Sequence, residues 1–181
     1  GDPPTIHLAL DDASGDSAII EYIDGKPHVY HDRSYHVMTN SPSYDQQIEL
    51  LKRWEGLGGD QPLPGDTLAE HRFARAAFYG SRLPEPKNQL QATAYMFSVI
   101  RNCAQPFRVG EDPEHPDASE TIWQVVLDLT NKRYVYQSTN RPNVVWTDFA
   151  DLDFAEGAPQ EKLDLLSKLS LEGGIAGNVS K

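Results

Sequence analysis

Asn40 is the side chain in this sequence that is best placed to stabilise a developing negative charge. It stands within Val37 to Pro42, between a stretch typical of a strand and one typical of a helix. An amide at a strand-to-helix corner can donate a hydrogen bond to the oxygen that becomes negative when a carbonyl group is attacked. Without further context, an asparagine before Ser-Pro is more often a turn residue that binds its own backbone. The residue and its neighbours alone leave both interpretations open.

Two arginines downstream, Arg72 and Arg75, are three positions apart and would share one side of a helix. Arg72 could form an ion pair with Asp66 or Glu70, and from the residues alone this structural role is favoured. Arg75 is assigned a structural role of the same kind.

Other reactive side chains give weaker signals. Cys103 is the only cysteine and lies mid-chain at a predicted helix end, so a buried structural thiol is favoured over a nucleophile. His28, His31 and Asp32 could contact a metal ion, as could Asp112, Glu114, His115 and Asp117. Neither set has a spacing that fixes a coordination geometry, so we predict solvated side chains and no metal site.

The composition narrows the classes of function. The 181 residues are 39% hydrophobic and carry a net charge of -11, with a pI near 4.8. Such a chain can bury one core, and its acidity weighs against nucleic acid and anionic membranes as partners. No apolar run approaches the roughly 20 residues that span a bilayer. The sequence also lacks a P-loop, an HExxH helix and a GxGxxG, which leaves nucleotide and zinc-protease chemistry without support.

The residues before Asn40 predict a hairpin and a third strand. Ser17 to Ile23 and Pro27 to Tyr30 are extended patterns that Asp24-Gly25, a strong hairpin turn, separates. Residues 35–39 read as a further strand that ends at Asn40.

Three helices follow. The first begins at Ser41-Pro42 or at Ser43, and its apolar stripe comprises Tyr44, Ile48, Leu51 and Trp54. Thr67 with Glu70 predicts a capping box for a second helix that ends near Gly80. The periodicity then predicts a third helix over residues 88–102.

The last third of the chain predicts a β-meander. An acidic, proline-containing loop covers residues 106–119, and strands are predicted over 122–129, 134–138 and 144–149. A terminal helix over 159–170 and a frayed tail over 173–181 complete the prediction. Strands, then helices, then strands favour an α+β fold with antiparallel pairing over a parallel doubly wound sheet.

Several motifs along the chain together resemble the choloylglycine hydrolase family, the linear amide hydrolases that include bile salt hydrolases and penicillin V acylases. Their order and spacing are similar to the family's over nearly the whole chain, which makes the match more specific than any single motif. The motifs are Asp12 to Ser17 followed by Ile19 to Tyr22, Met38 to Pro42, Leu63 to Asp66, Arg72 to Ala76, Ser98 to Asn102, and Thr121 to Trp123.

The resemblance implies an N-terminal nucleophile hydrolase with an αββα sandwich. In that family the thiol of the first residue of the mature chain attacks the amide, and its own free amine is the base. The resemblance places Asn40 in the oxyanion hole, where loss of one donor typically costs about a hundred- to a thousandfold in rate. It places Arg72 near the nucleophile, and it implies no cofactor.

The chain differs from the family at its start. It begins with Gly1 and not with the cysteine nucleophile, and the motif at Asp12, which in the family comes well after the nucleophile, lies close to this start. We therefore expect residues 1–181 to be a single portion, the C-terminal part, of an N-terminal nucleophile hydrolase domain. In one interpretation, a missing segment or separate chain carries the cysteine and shares the active site. In the other, the chain is a catalytically silent module that only binds an acyl group or a partner.

The family resemblance also sets expectations about the substrate and the assembly. Penicillin V, conjugated bile salts and acyl homoserine lactones all present an amide beside an apolar acyl group. The residues of the motifs are more similar to the penicillin acylase-like branch than to the bile salt hydrolases. A homo-oligomer, a tetramer in many relatives, is expected. Localisation is open from composition, and only the resemblance points to a periplasmic or secreted protein.

Overall fold

The computed structural model describes residues 7–54, 56–57, 61–107, 119–141, 143–165 and 176–180. Residues 1–104 and 105–181 form two compact units, and each holds one β-sheet. Most of the predicted acidic loop over 106–119 lies outside the described residues. In the described ranges no helix has both the length and the apolar character needed to cross a membrane.

The sheet of the first unit is antiparallel, in the order β1 (His7–Asp11), β2 (Ser17–Ile23) and β3 (Lys26–His31). The predicted hairpin is confirmed. Asp24 and Gly25 both have positive φ, 52° and 72°, as a two-residue turn between twisted strands requires. The sequence pattern had not indicated β1, which pairs along its whole length with β2.

The three helices are α1 (Tyr44–Arg53), α2 (Ala69–Gly80) and α3 (Gln89–Asn102). Ser43 occupies the N-cap position of α1, as one of the two interpretations predicted, but its side chain makes no cap hydrogen bond. The capping box predicted for α2 is wrong, because Leu68 occupies the N-cap position. The Asp66 carboxylate instead accepts the N–H of Leu68 at 2.9 Å.

Residues 35–39, predicted as a strand, are not one. Its backbone groups form hydrogen bonds with side chains and not with a neighbouring strand. The Ser17 hydroxyl donates to the carbonyl of Tyr35 at 2.7 Å, and the N–H of Thr39 donates to the side chain of Gln47 at 3.0 Å. The segment leads to Asn40 as predicted, but it does so beside the sheet and not within it.

A cluster of buried side chains holds α1 and α2 to the first sheet. Ile19 from β2, Tyr44 from α1 and Phe73 from α2 are its most buried members. The ring of Tyr44 packs edge-on against Tyr30 and Tyr35, with ring centroids 5.2 and 5.3 Å apart. Burying each of these large side chains contributes roughly 1.5–3 kcal/mol. The start of α1, four residues after Asn40, is therefore set in the core.

The second unit contains the predicted meander of β4 (Trp123–Asp128), β5 (Arg133–Ser138) and β6 (Val144–Asp148). A short 3₁₀ helix, Phe149–Asp151, follows it. The prediction of a frayed tail is wrong at residues 177–178, because β7 (Gly177–Asn178) pairs in parallel with β6. The predicted terminal helix is absent over residues 159–165, and the rest of it lies outside the described residues.

Candidate active site

Asn40 and Arg72, the two site residues predicted from the sequence, contact each other. Arg72 Nη2 donates a hydrogen bond to Asn40 Oδ1 at 2.5 Å, across 32 positions of sequence. Asn40 is exposed at the end of the extended segment, and Arg72 projects from the first turn of α2. The first unit thus brings together one amide and one guanidinium at the corner before α1.

The contact fixes which end of the Asn40 amide is available. A guanidinium has only donors, so the amide oxygen faces Arg72 and the NH₂ group is left for another acceptor. No hydrogen bond from Asn40 Nδ2 to the described part of the chain is present. The side chain therefore presents its donor hydrogens at an exposed position, which is the arrangement an oxyanion hole needs.

Arg72 is held in turn by its own helix. Its Nε donates to the carbonyl of Thr67 at 3.1 Å. Burial lowers the pKa of the Arg72 guanidinium, nearby Arg75 adds to this, and Cys103 opposes it. A guanidinium remains charged through such shifts. The expected ion pair with Asp66 or Glu70 is not observed. Both carboxylates instead lie near His71, at 2.6 Å from Nδ1 for Asp66 and 3.7 Å from Nε2 for Glu70.

Arg75 has the structural role that the sequence predicted, although it binds carbonyl groups and not a carboxylate. Its Nη1 donates to the carbonyls of Pro64 and Asp66 at 2.8 and 2.7 Å, and its Nε to that of Asn102 at 3.3 Å. The side chain is only 7% exposed. It ties the loop before α2 to the end of α3.

Cys103 is a partly buried thiol beside α2, and its Sγ donates to the carbonyl of Arg72 at 3.5 Å. Burial raises the pKa of the Cys103 thiol, although Arg75 and Arg72 act in the opposite direction. A thiol with a raised pKa is protonated at neutral pH and is a poor nucleophile. The geometry agrees with the structural role predicted from the sequence.

The sequence interpretation missed Gln47, a fully buried glutamine on α1. Its Oε1 accepts hydrogen bonds from the N–H and the hydroxyl of Thr39, at 3.0 and 3.2 Å. Its Nε2 donates to the carbonyls of Thr39 and Pro42, at 2.9 and 2.6 Å. The available signal was a polar residue three positions after Tyr44, on the side of α1 that faces the core.

Glu21, quoted in the β2 motif without a role, is also wholly buried, with 0% of the residue exposed. Its Oε2 accepts the N–H of Tyr44, the first residue of α1, at 2.8 Å. Its Oε1 lies 2.7 Å from His7 Nδ1, without the alignment of a hydrogen bond. A carboxylate is favourable at a helix N-terminus, so Glu21 provides the cap that Ser43 does not.

A metal-binding cluster or a groove beside Asn40 would extend the candidate site. No cluster of His, Cys, Asp and Glu in the described ranges is arranged to hold a metal ion. His31 instead contacts the carboxylate of Asp16 at 3.0 Å. A groove of about 570 Å³ along α1 begins at Pro42, but its walls are mainly charged and unsuited to an apolar acyl group. They comprise Pro42, Asp45, Gln46, Glu49, Leu50, Arg53 and Glu70.

Comparison with known proteins identifies the family. Residues 1–165 match the model of the linear amide C-N hydrolases, choloylglycine hydrolase family. The chain is 41% identical over 177 residues to penicillin V acylase from Pectobacterium atrosepticum, an alignment that covers 89% of this chain and 46% of that protein. The chain belongs to the choloylglycine hydrolase family.

Solved structures agree with this assignment. Penicillin V acylase from Agrobacterium tumefaciens superimposes with a TM-score of 0.77 at 46% identity, over 84% of this chain and 48% of that one. A variant of conjugated bile acid hydrolase from Clostridium perfringens gives a TM-score of 0.66 at 22% identity, over 81% and 51%, a likeness of fold alone. The expected α+β fold class of the N-terminal nucleophile hydrolases is confirmed. The chain spans about half the length of these relatives.

Proposed function

We propose that this chain contributes the oxyanion donor and part of the pocket to an enzyme that hydrolyses linear amides. The observation that carries the proposal is the hydrogen bond from Arg72 to Asn40 Oδ1, because it leaves the Asn40 NH₂ group available at an exposed position. Family membership supports the reaction class, hydrolysis of an amide C–N bond.

The nucleophile in this proposal is a cysteine on a segment outside the present sequence. The chain spans about half the length of its relatives, which supports a second half that completes the site. Each sheet also has an apolar face that is exposed in its unit, and such faces are normally covered. In the first sheet this face carries Leu8, Leu10, Tyr22 and Val29, and in the second it carries Trp123, Leu127 and Tyr134.

The proposed reaction proceeds through an acyl-enzyme. The cysteine thiol gives its proton to the free amine of the same residue, and the sulfur forms a bond to the amide carbon. The carbonyl oxygen becomes negative and accepts a hydrogen bond from Asn40 Nδ2. When the C–N bond breaks, the leaving nitrogen takes the proton from the ammonium group. Water then attacks the thioester and releases the acid and the thiol.

Arg72 has two effects in this scheme. It holds the Asn40 amide with its oxygen turned toward the guanidinium, and the positive charge of Arg72 lies one hydrogen bond away from the Asn40 side chain. A preorganised dipole that a partly buried charge reinforces stabilises an oxyanion more than a mobile amide does. Arg72 thus strengthens the donor without contacting the substrate oxygen itself.

For the substrate, we propose an amide of the penicillin V type. The relatives at 41% and 46% identity are both named penicillin V acylase, whereas the bile acid hydrolase is 22% identical. A hydrolysis panel of penicillin V, a conjugated bile salt and an acyl homoserine lactone tests this. Preferential cleavage of either of the other two amides would contradict the proposed substrate.

Two measurements test the proposed function. N-terminal sequencing and intact mass of the protein purified from its source should reveal a cysteine-initiated segment, whether on the same chain or a companion. In that complete enzyme, Asn40→Ala should lower kcat by about a hundred- to a thousandfold. Asn140→Ala, at an exposed turn, is the matched control and should leave kcat unchanged. An unaltered rate for Asn40→Ala would remove Asn40 from the oxyanion role.

The alternative is a catalytically silent binding module. It predicts that no cysteine-initiated segment accompanies the chain and that the purified chain is a well-behaved monomer without amidase activity. The homo-oligomer expected from the family resemblance is tested in the same preparation, by light scattering coupled to size-exclusion chromatography.

A further inference from the structure

The corner that carries Asn40 has no regular backbone pairing of its own. Residues 39–42 lie between the extended segment and α1, and Asn40 and Ser41 are both exposed. Loops at such positions sample several conformations unless other groups bind them. The direction of the Asn40 amide therefore depends on what fixes the two residues that flank this exposed pair.

Gln47 binds both of these flanking residues. Its side-chain amide makes three hydrogen bonds to Thr39 and one to Pro42. A glutamine amide has two acceptor positions and two donor hydrogens, and this set of partners uses all of them. Because Gln47 is fully buried, water cannot replace any partner that is lost. The two ends of the exposed pair are thus held by one rigid group.

Contacts with the first sheet fix the position of Gln47 in turn. Gln47 lies on the first turn of α1, where its own N–H donates to the carbonyl of Ser43 at 2.9 Å. Glu21 on β2 accepts the N–H of Tyr44 at the start of that helix. The chain of contacts runs from β2 through α1 to Gln47 and from there to the corner of Asn40.

We propose that Gln47 is a positioning residue for the amide hydrolysis, and that it acts by fixing the direction of the Asn40 side chain. The inference rests on the proposed function, because it requires Asn40 to donate to the oxyanion. Arg72 sets which end of the Asn40 amide is left to donate, and Gln47 sets where the backbone of Asn40 lies. An oxyanion donor needs both, since a misplacement of about 1 Å can cost roughly a hundredfold in rate.

The test is a double-mutant cycle in the complete enzyme. Gln47→Leu keeps the approximate size of the side chain and removes all four hydrogen bonds. It should lower kcat by about ten- to a hundredfold and change KM by less than about threefold. In an Asn40→Ala background the same substitution should lower kcat by less than about threefold, because the group it positions is already gone.

Gln46→Leu is the matched control. Gln46 is the exposed neighbour on the same helix, and its substitution should leave kcat unchanged in both backgrounds. Urea unfolding of each variant shows which of them are folded at the assay temperature. If Gln47→Leu does not fold, the cycle is run with Thr39→Val, which removes only the hydrogen bond from the Thr39 hydroxyl. It should lower kcat by about fivefold, again only where Asn40 is present.

The outcomes separate this inference from the proposed function. Equal losses of kcat with and without Asn40 would show a general structural role for Gln47 and would overturn the inference. An unchanged kcat for Gln47→Leu in the folded enzyme would also overturn it, while leaving the oxyanion role of Asn40 intact. If Asn40→Ala alone has the full rate, the proposed function fails first, and the positioning role fails with it.

Discussion

Replacement of Arg75 by methionine should destabilise the protein strongly, because it removes the donor that binds three carbonyls in two different segments. Methionine keeps an unbranched apolar stem and removes the charged donors. The affected acceptors are the carbonyls of Pro64 and Asp66 before α2 and that of Asn102 at the end of α3. Because Arg75 is only 7% exposed, its substitution removes a buried charged donor from these contacts.

The magnitude follows from these contacts. The hydrogen bonds at 2.8 and 2.7 Å come from a charged donor, and such bonds contribute roughly 1.5–3 kcal/mol each. The third, at 3.3 Å, is long and adds little. Methionine also relieves the cost of burying a charge that carbonyl dipoles alone offset. The net loss in the free energy of unfolding should be about 2–4 kcal/mol, which moves the urea midpoint by roughly 1 M.

The assay is urea unfolding of the complete enzyme, followed by tryptophan fluorescence. Arg53→Met is the matched control, since Arg53 is exposed at the end of α1 and loses the same charge. It should change the free energy of unfolding by less than about 0.5 kcal/mol. Arg75→Lys should recover only part of the loss, because an ammonium lacks the planar fork of donors. If the Arg75→Met and Arg53→Met midpoints coincide, the carbonyl contacts do not stabilise the fold as argued.

Three further predictions concern single groups. Burial raises the pKa of the Asp66 carboxyl, but hydrogen bonds from a backbone N–H and from His71 lower it by more. The net pKa is therefore below the ordinary 3.8. Its stabilisation is therefore present above about pH 4 and lost as the pH falls through the lowered pKa, so the stability gap between wild type and Asp66→Asn should narrow on acidification; a widening gap would contradict this. The raised pKa of the Cys103 thiol predicts slow alkylation by iodoacetamide at pH 8 and an unchanged kcat for Cys103→Ala, which rapid labelling or lost activity would disprove. Glu21→Leu should lower the free energy of unfolding by about 1–3 kcal/mol, and Glu21→Gln by less because its amide oxygen can still accept the N–H of Tyr44; equal losses in urea unfolding would refute the capping role.

Much of the fold could be predicted because its signals are local. The Asp24-Gly25 turn and the alternation around it specify a hairpin, and the structure contains it. The periodicity after Ser43 and after Asn88 predicts two helices with starts that are confirmed. The meander over residues 123–148 was likewise visible as alternation broken by turns. In each case the residues that form the pattern are close neighbours in sequence, so the local backbone preference and the pattern agree.

The failures share a different cause. Residues 35–39 have the composition of a strand, yet the side chains of Ser17 and Gln47 bind their backbone and no strand pairs with them. β1 and β7 are strands only because β2 and β6 pair with them. Pairing of this kind depends on chain segments that are distant in sequence, so no local pattern reports it.

The sequence by itself determined the family of the chain and pointed to two candidate site residues. Ordered motifs placed the chain in the choloylglycine hydrolase family and singled out Asn40 and Arg72. Only the tertiary structure decided how they work together, because their hydrogen bond joins residues 32 positions apart. It also decided that Arg75 binds carbonyls and that Gln47 holds the corner. Polar side chains in a core take whichever partners the packing brings within about 3 Å, and this choice is made only when the helices and the sheet meet.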